Sequence, residues 1–199
     1  MRLGALVLAL ALTACGSLLP KPGPLPQLYR LTPLPPAEGA QALDLQLAVD
    51  LPAAPASLDT ERIALMAPPL RLDYFARSAW GDRAPAMIQS LVVESLADSG
   101  RIRVVTGRSG EVRADADLMI DIERFDADYE GPGAPEIHVR LIARIMRDRD
   151  AIAVRTFDAT ARAARNVTPD IVAAFDEAFH TALGELVPWT ADQLAAMRR

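Results

Sequence analysis

The sequence predicts an α+β fold in two layers, with two long amphipathic helices packed on one face of a largely antiparallel sheet. Three observations lead to this prediction. Several segments alternate apolar and polar residues with a period of two, two segments repeat apolar residues with helical spacing, and short turns separate consecutive strands. A sheet with one polar face must bury its other face, and the helices are available to cover it. Short connections make consecutive strands antiparallel neighbours.

Strands are predicted along most of the chain. Residues 29–31 form a short alternation that is typical of a first strand or a docking segment. Residues 43–49 alternate strictly and are followed by prolines, which cannot donate to a strand ladder. Residues 71–80 favour a strand or irregular structure over a helix. Further strands are predicted at residues 61–66, 101–105, 117–125, 136–147 and 151–163.

The first helix is predicted at residues 84–98. Asp82 is a candidate N-cap, and Pro85 is tolerated in the first turn, where backbone amides lack partners. Gly100 supplies a left-handed terminator. Residues 101–105 follow at once as a strand, so this helix and strand are expected to pack as a unit.

Thr168 is predicted to cap the second helix, with Pro169 at its first helical position. Its apolar stripe has the spacing of a buried helix face and comprises Val172, Phe175, Phe179, Leu183 and Leu186. Pro188 is predicted to end this helix. Thr190 and Gln193 then have the spacing of a capping box, which predicts a short final helix.

Composition predicts one globular domain. The chain is 51% hydrophobic and 24% charged, close to soluble folds in general. Its formal net charge of −5 argues against a nucleic-acid partner, which requires clustered positive charge. The single cysteine excludes a disulfide within the chain, so a packed core must provide the stability.

The N-terminal residues have the parts of a bacterial lipoprotein signal. Arg2 supplies a charged end, residues 3–12 are apolar or small, and residues 12–15 (Leu-Thr-Ala-Cys) resemble a lipobox. Ten such residues cannot span a bilayer, which takes about 20 residues in a helix. Cys15 is therefore predicted to be lipidated and to hold the mature chain at a membrane. The alternative is an ordinary signal peptide with a free cysteine near its cleavage site.

Three regions follow from this prediction. Residues 1–14 are the lipoprotein signal peptide, residues 15–36 the lipidated cysteine and a proline-rich tether, and residues 37–199 a single periplasmic domain. Prolines alternate with other residues in the tether, which excludes a helix. In polyproline II geometry residues 16–27 would reach about 37 Å, at roughly 3.1 Å per residue.

No motif for catalysis, a metal or a cofactor is found in the sequence. The one thiol is assigned to lipid, and there is no Gly-x-Ser-x-Gly elbow or glycine-rich phosphate loop. His138 and His180 are the two imidazoles, and neither has a second ligand at metal-binding spacing. A hydrolase that uses one of them is the weakest of the functional hypotheses.

Seven carboxylates lie within residues 115–130, at Asp115, Asp117, Asp121, Glu123, Asp126, Asp128 and Glu130. Their spacing is not that of a calcium loop, which has a central glycine and a closing glutamate. A solvated strand face explains them best, and a negative patch for a partner is the alternative.

The candidate partner surface is an aromatic and arginine cluster. Aromatic residues make up only 5% of the chain, yet three lie within seven residues and are flanked by arginines, a composition typical of protein interfaces. The alternative is that these rings fill the core under the first helix. The candidate contact residues are Tyr74, Phe75, Arg77, Trp80 and Arg83.

In its order of features, the chain resembles the ABC-type transport auxiliary lipoproteins. The features are the lipobox, the proline linker, residues 29–31, the strand at residues 63–65, the run Tyr-Phe-Ala-Arg-Ser-Ala-Trp leading into a helix, the segment 100–105 and a terminal amphipathic helix. The motifs are short, so their order and spacing carry the resemblance, which covers nearly all of the mature chain.

The resemblance implies a lipid-anchored periplasmic adaptor that has no catalytic residues. It would work beside an MCE-domain protein, a permease and an ATPase in lipid transport between the inner and outer membranes. Gly16 and Ser17 follow the cysteine in place of the inner-membrane retention aspartate, which favours the periplasmic face of the outer membrane. Homo-oligomerisation fits with ring-forming MCE partners, although no residue requires it. The alternative function is a periplasmic carrier that holds acyl chains between sheet and helices.

Overall fold

The computed structural model describes residues 25–37, 41–107 and 114–198. The described residues form eight strands and two helices, and the predicted α+β class is confirmed. In chain order the elements are β1 (Gln27–Tyr29), β2 (Leu43–Val49), β3 (Arg62–Ala67), β4 (Arg71–Trp80), α1 (Ala84–Asp98), β5 (Ile102–Gly107), β6 (Ala116–Asp128), β7 (Glu136–Arg147), β8 (Asp150–Arg162) and α2 (Thr168–Ala196).

Strand β6 is the centre of the sheet. It pairs along its length with β7, which pairs in turn with β8. Its other edge is shared, because β2 pairs with residues 116–118 and β3 with residues 126–128. Strand β5 continues the sheet beyond β2, and β4 and then β1 continue it beyond β3. Within the described residues β1 and β8 therefore lie at free edges of the sheet.

The sheet is mixed, which corrects the prediction of a largely antiparallel one. The three long pairings β3–β4, β6–β7 and β7–β8 are antiparallel as predicted. The pairings β1–β4, β2–β5, β2–β6 and β3–β6 are parallel. The parallel pairs join strands that are distant in sequence. Turn spacing reports only on neighbours along the chain, so these pairs could not be read from it.

Helix α1 has the predicted bounds, but its start differs in detail. Arg83 occupies the N-cap position and makes no side-chain cap. The Asp82 carboxylate instead accepts the Arg83 amide at 2.7 Å, so it caps no amide inside the helix. The C-terminal prediction is confirmed, since Gly100 has a φ of 64°. Only glycine adopts that conformation without strain.

Val167 occupies the N-cap position of helix α2, which corrects the predicted cap at Thr168. The helix continues through Pro188, which corrects the predicted end at this residue and the predicted short final helix. Proline removes one helix hydrogen bond, but the residues on both sides of it are buried against the sheet. The Thr190 hydroxyl donates to the Leu186 carbonyl at 2.8 Å within the helix, so Thr190 is not a cap. Packing of the apolar stripe thus outweighs the local signal to stop.

The two helices and one face of the sheet share a continuous apolar core. Helix α1 packs against β5 and β2, and α2 packs across β7 and β8. The alternation is clear in β7, where Ile137, Val139, Leu141, Ala143 and Ile145 are fully buried. The other face, here called the outer face, carries ion pairs between strands. Arg140 bonds to Glu123 at 2.8 Å and to Asp158 at 3.0 Å.

Candidate functional site

The predicted lipidation site lies outside the described residues, as do the signal peptide and most of the tether. The described chain begins at Leu25 and enters the domain as β1, which pairs in parallel with residues 78–80 of β4. Leu31 is fully buried. Residues 27–37, here called the strap, are thus part of the folded domain, which begins before the predicted boundary at residue 37.

The strap is held on α2 by a cluster of three polar residues. The Thr32 amide donates to Asp176 Oδ1 at 2.7 Å, and the Thr32 hydroxyl donates to Asp176 Oδ2 at 2.9 Å. His180 Nε2 lies 3.0 Å from both the hydroxyl and the carbonyl oxygen of Thr32. Asp176 and His180 are one helical turn apart, so they face the strap together.

The strap also crosses α1. The Leu34 amide donates to the Ser95 hydroxyl at 3.0 Å, and the Ala37 amide donates to the Asp98 carbonyl at 3.1 Å. Both helices therefore fix the segment that connects the domain to Cys15.

The contact between Thr32 and His180 does not form a nucleophile and its base. A carbonyl oxygen only accepts hydrogen bonds, so the contact to the Thr32 carbonyl assigns the proton of the neutral imidazole to Nε2. A protonated Nε2 cannot take the proton of the neighbouring hydroxyl. Asp176 bonds to threonine, whereas a catalytic triad would place it on Nδ1 of the histidine. The geometry is that of a structural clasp.

Sequence reasoning considered His180 for catalysis and missed Thr32 and Asp176. The clasp joins residues 144 and 148 positions apart, and no local pattern links them. The available signal was the pair Asp176 and His180, which has i, i+4 spacing beside the apolar stripe of α2.

Trp80 does not belong to a partner surface. Its side chain is 1% exposed and packs edge-on against Phe175, with ring centroids 5.2 Å apart. Phe125 lies 5.6 Å from Trp80 and 5.1 Å from Phe175, so the three rings contact one another, and Phe179 extends the group. The alternative that the ring fills the core is the one the structure supports.

Three of the other predicted contact residues are held by contacts within the chain. The Tyr74 hydroxyl donates to the Ser57 carbonyl at 3.1 Å, and the Arg62 guanidinium stacks on the Tyr74 ring. Phe75 is half-buried beside Tyr129, and Arg83 is paired with Asp59. Tyr74 and Arg83 thus both fasten the loop at residues 55–60.

Arg77 is an exposed member of the predicted cluster, as is Arg83. Arg77, however, has no ion-pair partner among the described residues. It lies in a β-bulge, because β4 shifts register against β3 between Arg62 and Ala64. Its φ of 55° is a left-handed backbone conformation that is unfavourable for residues other than glycine. Arg77 lines an open cleft with Leu25 and Thr168.

The acidic group is distributed among structural contacts. Asp121 pairs with Arg144, and Glu123 pairs with Arg140. The Asp115 carboxylate accepts a hydrogen bond from the backbone amide of Gln46. Arg124 donates to Asp126 at 2.7 Å and to Asp128 at 2.9 Å. The hydrogen bond to Asp126 raises the pKa of Arg124, so this guanidinium stays charged. Within the described residues, no group of three metal-ligating side chains comes together.

His138 lies on the outer face, where its Nε2 is buried and has no hydrogen-bond partner in the described part of the chain. Glu136 Oε2 is 3.6 Å away, beyond hydrogen-bonding distance. Nε2 therefore takes a proton from no hydroxyl or thiol in the described part of the chain.

The space between sheet and helices is filled by side chains. Large fully buried residues from both layers, including Phe125, Phe157 and Phe175, occupy it. The clefts found in the described structure open to the surface, and one of about 350 Å³ lies beside the strap at Arg30 and Leu91. A packed interior does not support the alternative of an acyl carrier.

The described residues thus form a packed α+β domain whose strap leads back toward a lipobox, the arrangement of a tethered accessory protein. No helix among them is long and apolar enough to cross a membrane. The chain belongs to the ABC-type transport auxiliary lipoprotein components, since the model of that family matches residues 29–187.

The chain is also similar to proteins of other bacteria. The uncharacterized protein bll6063 of Bradyrhizobium diazoefficiens is 32% identical over 152 residues, which make up 76% of this chain and 41% of that protein. The chain therefore spans about two fifths of the length of this relative. The crystal structure of protein XCC0632 from Xanthomonas campestris is 29% identical with a TM-score of 0.80, covering 86% of this chain and 98% of that one. The hypothetical protein CT253 from Chlamydia trachomatis, at 10% identity and a TM-score of 0.51 over 77% of this chain and 99% of that one, shares the fold.

Proposed function

We propose that this protein is a lipid-anchored adaptor at the periplasmic face of the outer membrane, where it docks an MCE-domain protein of an ABC lipid transport system. The observation that carries the proposal is the match to the transport auxiliary lipoproteins over residues 29–187, downstream of a lipobox cysteine. In this role Cys15 holds the membrane and the folded domain holds the partner. The permease and the ATPase would act at the inner membrane.

The chemistry of the described residues supports an adaptor over an enzyme. His180 acts as a hydrogen-bond donor in the clasp, and His138 Nε2 has no hydrogen-bond partner among the described residues. Arginines engage four carboxylates of the acidic group, and a backbone amide engages a fifth. A filled core likewise favours a docking domain over a carrier. The clasp and the contacts to α1 would let the domain bear the tension of a bridge between two membranes.

Co-purification tests the docking. We expect the full chain, expressed with an MCE-domain partner of the same bacterium, to co-purify with that partner after gentle solubilisation of the envelope. A Cys15→Ala chain exported by a cleavable signal should still bind the partner, although it should leave the membrane fraction. An unrelated outer-membrane lipoprotein with the same tag is the control. Absence of association for both forms would contradict the docking role.

A further inference from the structure

The strand β1 brings the described chain into the domain at one free edge of the sheet. Leu25 is ten residue steps from Cys15, so a chain at its full extension of about 3.5 Å per residue could separate the two by about 35 Å at most. Strand β8, at another free edge, lies five strands away through β4, β3, β6 and β7. At roughly 4.8 Å per strand this is about 24 Å along the sheet. If Cys15 is fixed in lipid, the tether joins the domain at the β1 edge and keeps Leu25 within about 35 Å of the anchor.

This edge exposes large apolar side chains. Leu25 is 90% exposed and Leu28 is 66% exposed, on either side of the start of β1. Val167 is also exposed and precedes Thr168, which lines the same cleft as Leu25. Burial of such side chains at the headgroup and acyl boundary is favourable in proportion to the apolar area that leaves water.

The positively charged side chain of Arg77 lies beside this apolar edge. Arg77 lines the cleft with Leu25, is exposed, and has no carboxylate partner in the described part of the chain. The bulge holds Arg77 there at a φ of 55°, a conformation that costs free energy in residues other than glycine. In a chain with a net charge of −5, an unpaired arginine next to exposed leucines matches the phosphate layer of a membrane above the acyl chains.

We infer that the β1 edge, formed by Leu25, Leu28, Arg77 and Val167, lies against the phospholipid bilayer, with Arg77 at the lipid phosphates. This inference rests on the proposed lipid anchor at Cys15. Arg77, predicted from the sequence to contact a protein partner, is thereby assigned to a membrane contact. The inference also orients the domain, because β8 and the outer face are then left free for the partner.

Fluorescence quenching in vesicles tests this orientation. Acylation of the single native cysteine leaves an introduced cysteine as the only free thiol. Lipidated full chains carrying Leu28→Cys, Val154→Cys or Leu70→Cys are labelled with an environment-sensitive fluorophore. They are then reconstituted into phosphatidylethanolamine and phosphatidylglycerol vesicles that contain nitroxide-labelled lipid. Val154 on β8 is 57% exposed and Leu70 at the tip of the β3–β4 hairpin is 95% exposed, so both are matched apolar controls.

We expect the label at residue 28 to be quenched at least threefold more than the labels at residues 154 and 70. Equal quenching at the three positions, or stronger quenching at residue 70 or 154, would overturn the orientation. Flotation with the vesicles is measured on the same samples. Chains that float without preferential quenching at residue 28 refute this inference and leave the lipid anchor standing. Lipid-processed chains that fail to float refute both.

Two charge-reversing substitutions, one at Arg77 and one at a control arginine, test the headgroup contact. We expect Arg77→Glu in the Leu28→Cys background to reduce the quenching at least twofold at low salt. Arg149→Glu should leave it unchanged. Arg149 is a fair control, because it is also exposed and also has a positive φ, of 79°, but lies in the turn before β8. Circular dichroism melting shows whether each variant is folded, and equal effects of the two substitutions would overturn the role of Arg77.

Discussion

Replacement of Trp80 by alanine should destabilise the protein by about 3–5 kcal/mol, the usual cost of emptying a large aromatic site in a packed core. The ring contacts Phe125 and Phe175 at the place where β4, β6 and α2 meet. Single domains are commonly stable by about 5–15 kcal/mol, so this loss is a large fraction of the total. For a chain of this size the melting temperature should fall by roughly 2–4 °C for each kcal/mol lost.

Thermal and urea unfolding of Trp80→Ala measure this effect, with Leu70→Ala as the matched control. Leu70 is almost fully exposed, and its replacement should change stability by less than about 0.5 kcal/mol. Binding to the MCE partner at a temperature where the variant is folded separates the core role from a contact role. Unchanged stability with weakened binding would return Trp80 to the partner surface and contradict the packing described above.

Replacement of Asp176 by alanine should release the strap from α2. The substitution removes the acceptors of the Thr32 amide and hydroxyl, and because Thr32 is exposed, water can replace them, so each lost bond costs about 0.5–1.5 kcal/mol. Much of the core contributed by β1 and Leu31 depends on that segment staying docked. We therefore expect faster hydrogen exchange at residues 28–36 together with a moderate loss of stability.

Hydrogen exchange read by mass spectrometry localises this effect. Glu177→Ala, an exposed position beside the clasp, is the control and should leave the exchange of the strap unchanged. Asp176→Asn keeps one acceptor oxygen and should give an intermediate result. A loss of stability spread over the whole domain, without preferential exchange in the strap, would show that Asp176 does not act as a clasp.

Local features of this fold could be predicted well from the sequence. The bounds of α1, β2, β4 and β7 agree with the predictions, because periodicity, glycine and proline report directly on local backbone structure. The β7–β8 hairpin follows from the same signals and is confirmed.

Contacts between residues far apart in the sequence could not be predicted, and the candidate site is built mainly from such contacts. The parallel pairs of β6 with β2 and β3 join segments separated by dozens of residues, which no local pattern encodes. The helix through Pro188 persists because buried residues on both sides keep it docked. The strap was assigned to the tether because its prolines are extended, yet Leu31 and Thr32 dock it on the helices.

Only the burial of each side chain and its ion pairs show which members of the arginine and aromatic cluster belong to the core and which lie on the surface. Trp80 and Arg77 are three residues apart in one strand, yet the first is in the core and the second is exposed. Composition could identify the cluster as unusual, but the bulge that separates the two environments depends on pairing with β3.

The proposed function depends on lipid at Cys15, and the intact mass of the protein extracted from bacterial membranes tests this anchor most directly. We expect a polypeptide that begins at Cys15 and carries the added mass of a diacylglyceryl group, with or without a third acyl chain. The Cys15→Ala protein should lack this addition and be absent from the membrane fraction. A chain that begins at another residue, or an unmodified Cys15 on membrane-bound protein, would contradict the lipid anchor.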